Sequence, residues 1–210
     1  MNPIIHIIDD DRSFRTAVGR LLSASGYDVV LYPSGETFLA TLPASAPGCI
    51  LLDLNMPGLS GLALQEKLLE MAPLLPVVFL TGQGDVKAGV QAMKAGADDF
   101  LEKPATSEIL LETIERSLRR ATARRGEIER LEASRTRLAR LTPREFEVLR
   151  LIVHGKLNKQ IAHVLGTSER TIKAHRHNLM EKIGARNLAE VVSIAGMLGL
   201  VEASQEDASC

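Results

Sequence analysis

The chain has no tryptophan, aromatic residues make up 3% of it, and only two of its 210 residues are cysteines. Phe146 is the one aromatic between residues 139 and 200, which argues against a stacking platform for single-stranded nucleic acid there. Cys49 lies in an apolar run and Cys210 at the terminus, so no disulfide framework is expected and a zinc site has little support. A reduced, cytoplasmic protein is the simple expectation. No apolar run approaches the roughly 20 residues of a membrane helix. The first residues lack a basic region followed by a long apolar stretch, so no secretory signal is expected either. An apolar fraction of 45% and a charged fraction of 24% suit a globular chain with one or two cores.

Net charge is also lacking, at −1, but that figure conceals a division. Residues 1–118 carry 8 basic and 15 acidic side chains. Residues 119–138 carry 7 and 3, residues 139–200 carry 10 and 5, and the tail 201–210 adds 3 acids. An acidic half joined to a basic half suggests two tasks, the second involving a polyanion.

What is present in the first half is alternation. Apolar runs at 4–8, 28–32, 49–53, 76–80 and 99–101 read as strands. Between them, amphipathic stretches at 14–24, 35–42, 61–71, 86–95 and 107–118 read as helices. Gly- and Pro-bearing loops at 55–58 and 81–84 punctuate them. Five βα units predict a doubly wound parallel sheet of flavodoxin-like order, 2-1-3-4-5, with its crevice at the carboxyl ends of strands 1 and 3.

Five polar signals border or fall within those runs: Asp9-Asp10-Asp11, Asp53, Thr81-Gly82, Asp99 beside Phe100, and Lys103-Pro104. At strand ends they would line one crevice with at least three carboxylates, an ammonium and a hydroxyl. Carboxylates that close repel one another unless a cation sits among them, which suggests a divalent metal with oxygen ligands. Asp11 reads instead as an N-cap or first-turn acid of the following helix.

From residue 107 a helical stripe (Leu110, Leu111, Ile114, Leu118, then Ile128, Leu131, Leu138 and Leu141) predicts a long charged connector, with Gly126 as a weak point or kink. It is either a dimer seam or a solvated linker. Beyond it, four short helices are expected. Thr142-Pro143-Arg144-Glu145 has the form of a capping box, and Asn158 and Ser168 would cap the next two helices. Two helices separated by Gly166-Thr167-Ser168 make a helix-turn-helix candidate. Its second helix presents Lys173, Arg176, His177 and Lys182 outward, a basic face for a major groove.

Residues IIDDD (7–11), LLDLNMPGLSG (51–61), FLTGQGD (79–85) and MKAGADDFLEKP (93–104) resemble the receiver domain of bacterial two-component response regulators. The stretch from 141 to 192, LTPREFEVLRLIVHGKLNKQIAHVLGTSERTIKAHRHNLMEKIGARNLAEVV, resembles the LuxR-type DNA-binding domain. Together the pair is similar to the FixJ/NarL subfamily of transcription regulators. This implies a receiver at 1–118, a helical linker at 119–138, an all-α DNA-binding domain at 139–200 and a tail at 201–210.

The resemblance also implies roles. Asp53 would accept a phosphoryl group from a sensor histidine kinase. Asp10, Asp53 and the backbone carbonyl of Asn55 would coordinate Mg²⁺ (or Mn²⁺), with Asp9 acting through bound water. Lys103, preceding a cis proline bond, would pair with a phosphoryl oxygen. Thr81 would bind another oxygen, and Phe100 would change rotamer with it. On double-stranded promoter DNA, Lys173, Ala174 and His177 would face base edges, while Asn158, Lys159, Thr171, Arg176 and Lys182 would contact phosphates. Phosphorylation would favour a homodimer, with RNA polymerase a further partner and no membrane involved.

Two other classes remain open from sequence. A haloacid-dehalogenase-like phosphatase also forms phosphoaspartate, but it needs an Asp two residues after the nucleophile, where this chain has Asn55. A DNA-binding scaffold with a vestigial pocket would keep its regulation in an Asp53→Asn variant. The reading otherwise is of a regulator, not an enzyme.

Overall fold

The structure is a computed structural model and describes residues 2–42, 48–82 and 86–200. By internal packing the chain divides into two units, Met1–Arg125 and Gly126–Cys210. The expected loop at 83–84 and the tail 201–210 lie outside the described residues.

In the first unit, strands β1 (Ile4–Ile8), β2 (Asp28–Tyr32), β3 (Gly48–Asp53), β4 (Val77–Thr81) and β5 (Asp99–Glu102) form one parallel sheet in the order β2-β1-β3-β4-β5. The expected order holds. Between the strands run α1 (Arg12–Ala24), α2 (Gly35–Ala40), α3 (Gly61–Met71) and α4 (Val86–Lys94). After β5 comes α5 (Ser107–Leu138), a helix of 32 residues that continues through Gly126 without a break.

The reason for the apolar runs is burial on both faces. Phe38 of α2, Leu64 and Leu68 of α3 and Ala92 of α4 cover one face with Ile8, Ile50, Leu52 and Phe79. Val18 and Leu22 of α1 and Leu110 and Ile114 of α5 cover the other with Ile5, Ile7, Leu51 and Val78. Each fully buried side chain of this size contributes about 1.5–3 kcal/mol.

The second unit contains α6 (Pro143–Val153), α7 (Asn158–Val164), α8 (Glu169–Ile183) and α9 (Leu188–Met197) around Val148, Leu149, Ile161, Ile172, Leu179, Ile183 and Val191. The capping box at Thr142 and Glu145 forms as expected, and Ser168 caps α8 by accepting from the Thr171 amide. Asn158 does not cap α7. Leu157 holds that position and Asn158 is the first helical residue; the Gln160 side chain accepts from the Leu157 amide (2.8 Å), and the Asn158 side-chain oxygen accepts from Arg176 instead. Among the described residues, no helix is long and apolar enough to cross a membrane.

Candidate phosphorylation pocket and nucleic-acid interface

Asp9 follows the last residue of β1, Asp53 ends β3 and Thr81 ends β4, so three neighbouring strands deliver polar side chains to one edge. Lys103 arrives directly after β5, where its amide donates to the Thr81 carbonyl (2.7 Å), and the Lys103–Pro104 bond is cis. Its ammonium reaches the Asp9 Oδ2 at 2.7 Å and the Asp53 Oδ1 at 3.0 Å. The same ammonium stands 4.4 Å from the ring centroid of Phe14 on α1, which adds a cation–π contact.

Asp9 is fully buried and fully used. Its Oδ1 accepts from the Asp11 amide at 2.9 Å, and its backbone carbonyl accepts from the Arg15 guanidinium. Asp11 caps α1 by accepting from Ser13 and Phe14, so it is no part of the pocket's charge cluster. Asp10, by contrast, is exposed to solvent.

Carboxylate oxygens of Asp9, Asp10 and Asp53 all lie within 4.8 Å of one another. One ammonium cannot neutralise three carboxylates. Burial pushes the Asp53 carboxyl above its ordinary range, although hydrogen bonds from Lys103 and from the Asn55 backbone amide pull it back. Burial alone would depress the Lys103 ammonium, but its bonds to Asp9 and Asp53 win and hold it above the ordinary lysine value. The surplus negative charge, the all-oxygen donor set and the exposed third carboxylate fit Mg²⁺ or Mn²⁺ better than a softer metal.

Thr81 is buried and its hydroxyl donates to the Gly82 carbonyl at 3.2 Å. Phe100 is half-buried one strand away, packed so closely on Gly89 of α4 that a Cβ there would lie 3.1 Å from its ring. Any change in that aromatic's rotamer must therefore be felt by α4. Asp99 is a correction to the expected crevice. It opens β5, at the opposite edge of the sheet, and pairs with Arg116 at 2.6 Å.

In the second unit, α7 and α8 are joined by the turn at Gly166-Thr167-Ser168. Lys173, Ala174 and His177 stand exposed on α8, as do Thr171 at its start and Lys159 on α7. Arg176 is half-buried and donates to the Asn158 side-chain oxygen at 2.8 Å, a bond that ties α8 to α7. Lys182 departs from the outward basic face that periodicity suggested. Its ammonium reaches back 2.6 Å to the buried Glu145, the residue that completes the α6 capping box.

Internal partnerships that escaped the sequence reading include Arg176 with Asn158, Lys182 with Glu145, and Lys103 with the Phe14 ring.

A family profile described as "Response regulator receiver domain" matches residues 5–115, and one described as "Bacterial regulatory proteins, luxR family" matches residues 139–195. The transcriptional regulatory protein FixJ of Rhizobium meliloti is 38% identical over 191 residues, which cover 91% of this chain and 94% of that protein. The chain belongs to the FixJ/NarL response regulators. Response regulator protein TodT of Pseudomonas putida is 37% identical over 195 residues, covering 93% of this chain and 86% of TodT. Among solved structures, the response regulator StyR superposes with a TM-score of 0.84 at 40% identity, covering 93% of this chain and 99% of StyR. A FixJ/NarL response regulator is a transcription regulator of a two-component system. The carboxylate–ammonium pocket therefore occupies the receiver, and α7 and α8 form the DNA-binding helix-turn-helix.

Proposed function

We propose that Asp53 accepts a phosphoryl group from the phosphohistidine of a sensor kinase, and that its charge state sets promoter binding by pairing two DNA-binding units. The observation that carries this reading is the convergence of Asp9 and Asp53 on the Lys103 ammonium, within 3.0 Å, at the carboxyl edge of the sheet.

In the proposed step, an Asp53 carboxylate oxygen attacks phosphorus. The P–N bond to the donor imidazole breaks, and the departing nitrogen keeps the electron pair and takes a proton. An acyl phosphate remains on Asp53. Such a transfer depends on positioning and on neutralising charge. Mg²⁺ held by Asp10, Asp53 and the Asn55 carbonyl, with Asp9 through water, would neutralise charge on the phosphoryl oxygens. Lys103 sits where its ammonium can pass from Asp53 to a phosphoryl oxygen. Thr81, whose hydroxyl now spends its proton on the Gly82 carbonyl, can redirect it to another.

Asn55 in place of a general acid favours a lasting acyl phosphate over rapid turnover, so the receiver serves as an acceptor and not as a metabolic enzyme. Because Phe100 packs on Gly89, a Thr81-linked rotamer change would reshape α4 and β5. Shifting a population from mostly unpaired to mostly paired takes about 5.5 kcal/mol of differential stabilisation. Two helix-turn-helix units on adjacent half-sites then bind with a raised effective concentration.

The test is to expose the full chain to acetyl phosphate and Mg²⁺, then read mass, oligomeric state and genome-wide footprints against Asp53→Asn. One added phosphate at Asp53, a doubled mass and stronger footprints are expected. A phosphate elsewhere, or identical footprints from both proteins, overturns the proposal.

A further inference from the structure

We propose that Glu36, an exposed residue of the first turn of α2, is a positioning residue for the metal-bearing loop that follows Asp53. The inference rests on the metal-dependent acceptor reading above and extends it to a residue outside the pocket.

The loop from Leu54 to Ser60 supplies two backbone groups of Asn55 to the site: the amide that hydrogen-bonds the Asp53 carboxylate, and the carbonyl assigned to the metal. Its two ends are fixed. The Leu54 amide donates to the Leu80 carbonyl at 3.1 Å, and the Gly61 amide donates to the Leu54 carbonyl at 3.1 Å. Gly61 packs so tightly that a Cβ there would overlap the Asp53 carbonyl oxygen.

The far side of the loop, just before the cap of α3, is held from a different element. Glu36 Oε1, 23 residues earlier in the chain, accepts from the Leu59 amide at 2.9 Å. Gly58 turns with φ of 76°, and a Cβ on it would come within 2.8 Å of that same carboxylate oxygen. Gly35, next to Glu36, is packed so that its own Cβ would lie 3.1 Å from the Leu59 side chain. Backbone, carboxylate and side chain thus meet across α2 and the loop. Ser34 caps α2 and fixes the helix start from which Glu36 projects.

The consequence is one of population. A ligand whose binding-competent loop is only partly populated binds more weakly by that fraction. Without the Glu36 bond the turn around Gly58 is free to sample other orientations, and the Asn55 carbonyl samples them too. Removing groups that orient metal ligands directly weakens binding by roughly 10–100-fold. Glu36 acts two steps away, so about a threefold to tenfold loss of Mg²⁺ affinity is expected for Glu36→Ala.

Isothermal titration of the full chain with Mg²⁺ alone tests this, with Glu36→Ala and Glu36→Gln beside the wild type. Glu36→Gln keeps an oxygen for the Leu59 amide while losing the charge, and is expected to restore most of the affinity. Hydrogen exchange at the Leu59 amide is expected to quicken in Glu36→Ala and not in Glu36→Gln. Equal affinity in wild type and Glu36→Ala overturns the proposal and leaves the acceptor reading standing. So does a Glu36→Gln variant as weak as Glu36→Ala, which would trace the loss to charge. A wild type that takes up no Mg²⁺ overturns both.

Discussion

At the carboxyl edge of the sheet, Asp9 is fully buried, Asp53 nearly so, and both close on a single ammonium. Along α8, Lys173 and His177 stand in solvent. In the proposed transfer the pocket would receive a small anion whose position must be fixed within the first unit, and its charges are gathered and oriented without it. The helix meets a long polyanion that brings its own counterions, so exposed side chains suffice and hydration is exchanged on contact. Preorganised charge makes the pocket sensitive to the loss of any one member, whereas dispersed charge makes the helix tolerant.

The largest expected effect comes from breaking the pocket. Lys103→Met leaves two buried carboxylates without their shared cation, and removing one partner of such a cluster costs about 3–5 kcal/mol. Hydrogen exchange at β1 and β3 in metal-free buffer measures it, and Mg²⁺ is expected to stabilise this variant more than the wild type. A variant as stable as wild type without metal would mean the carboxylates do not depend on the ammonium. Loss of phosphate uptake at Asp53 should accompany the instability.

On α8 the contrast is between kinds of contact. Lys173→Ala is expected to lower affinity for a footprinted operator about tenfold while hardly changing binding to unrelated duplex. Lys159→Ala should weaken both alike and reduce the slope of log affinity against log salt by about 1. Fluorescence anisotropy across a salt series separates them. If Lys173→Ala behaves as Lys159→Ala does, then α8 reads phosphates and not bases at that position.

A smaller effect is expected at Glu145, where the second unit borrows the pocket's strategy. Its carboxylate accepts from the Thr142 amide at 2.8 Å and from Lys182 at 2.6 Å while buried. Glu145→Ala removes half of a capping box together with an ion pair, for a loss of about 1–2 kcal/mol by thermal unfolding. An unchanged midpoint would make the Lys182 contact incidental and return that lysine to the DNA-facing set.

The strands and pocket were legible because their signals are local. Continuous apolar runs follow from a sheet covered on both faces, and each pocket residue sits at or just past a run's end. Asp99 misled because it also borders a run, but it borders the amino end of a parallel strand, the end that lies away from the crevice. Asn158 looked like a cap because Asn favours that position, but its side-chain oxygen accepts from the Arg176 guanidinium instead. Lys182 and Glu145 are 37 residues apart, and Glu36 and Leu59 are 23 apart, so no periodicity joins them. Such pairs become visible only when the helices that carry them are packed.

The smallest effect separates the two units by pH. His6 lies in the middle of β1, fully enclosed, with its Nδ1 against the Tyr32 hydroxyl at 3.2 Å and no partner for its Nε2 among the described residues. Burial holds its pKa below the ordinary 6.5, so the unfolded chain takes up this proton first and the first unit weakens as pH falls below that value. Glu145 is held below its ordinary 4.5, chiefly by the Lys182 hydrogen bond and then by that of the Thr142 amide. Its contribution is complete above 4.5 and is lost only as pH falls through the lower folded value. Between pH 7 and 5.5 only His6 of these two groups acts, so the first unit should lose protection, by at most about 1.4 kcal/mol per pH unit, while Glu145 leaves the second unchanged. Asp53, raised by burial, works in the opposite direction at lower pH, so the decisive comparison is with His6→Phe. Hydrogen exchange resolved by residue should show the pH dependence of β1 vanish in that variant while the second unit is unaffected. Persistence of the slope in His6→Phe would assign it to another group.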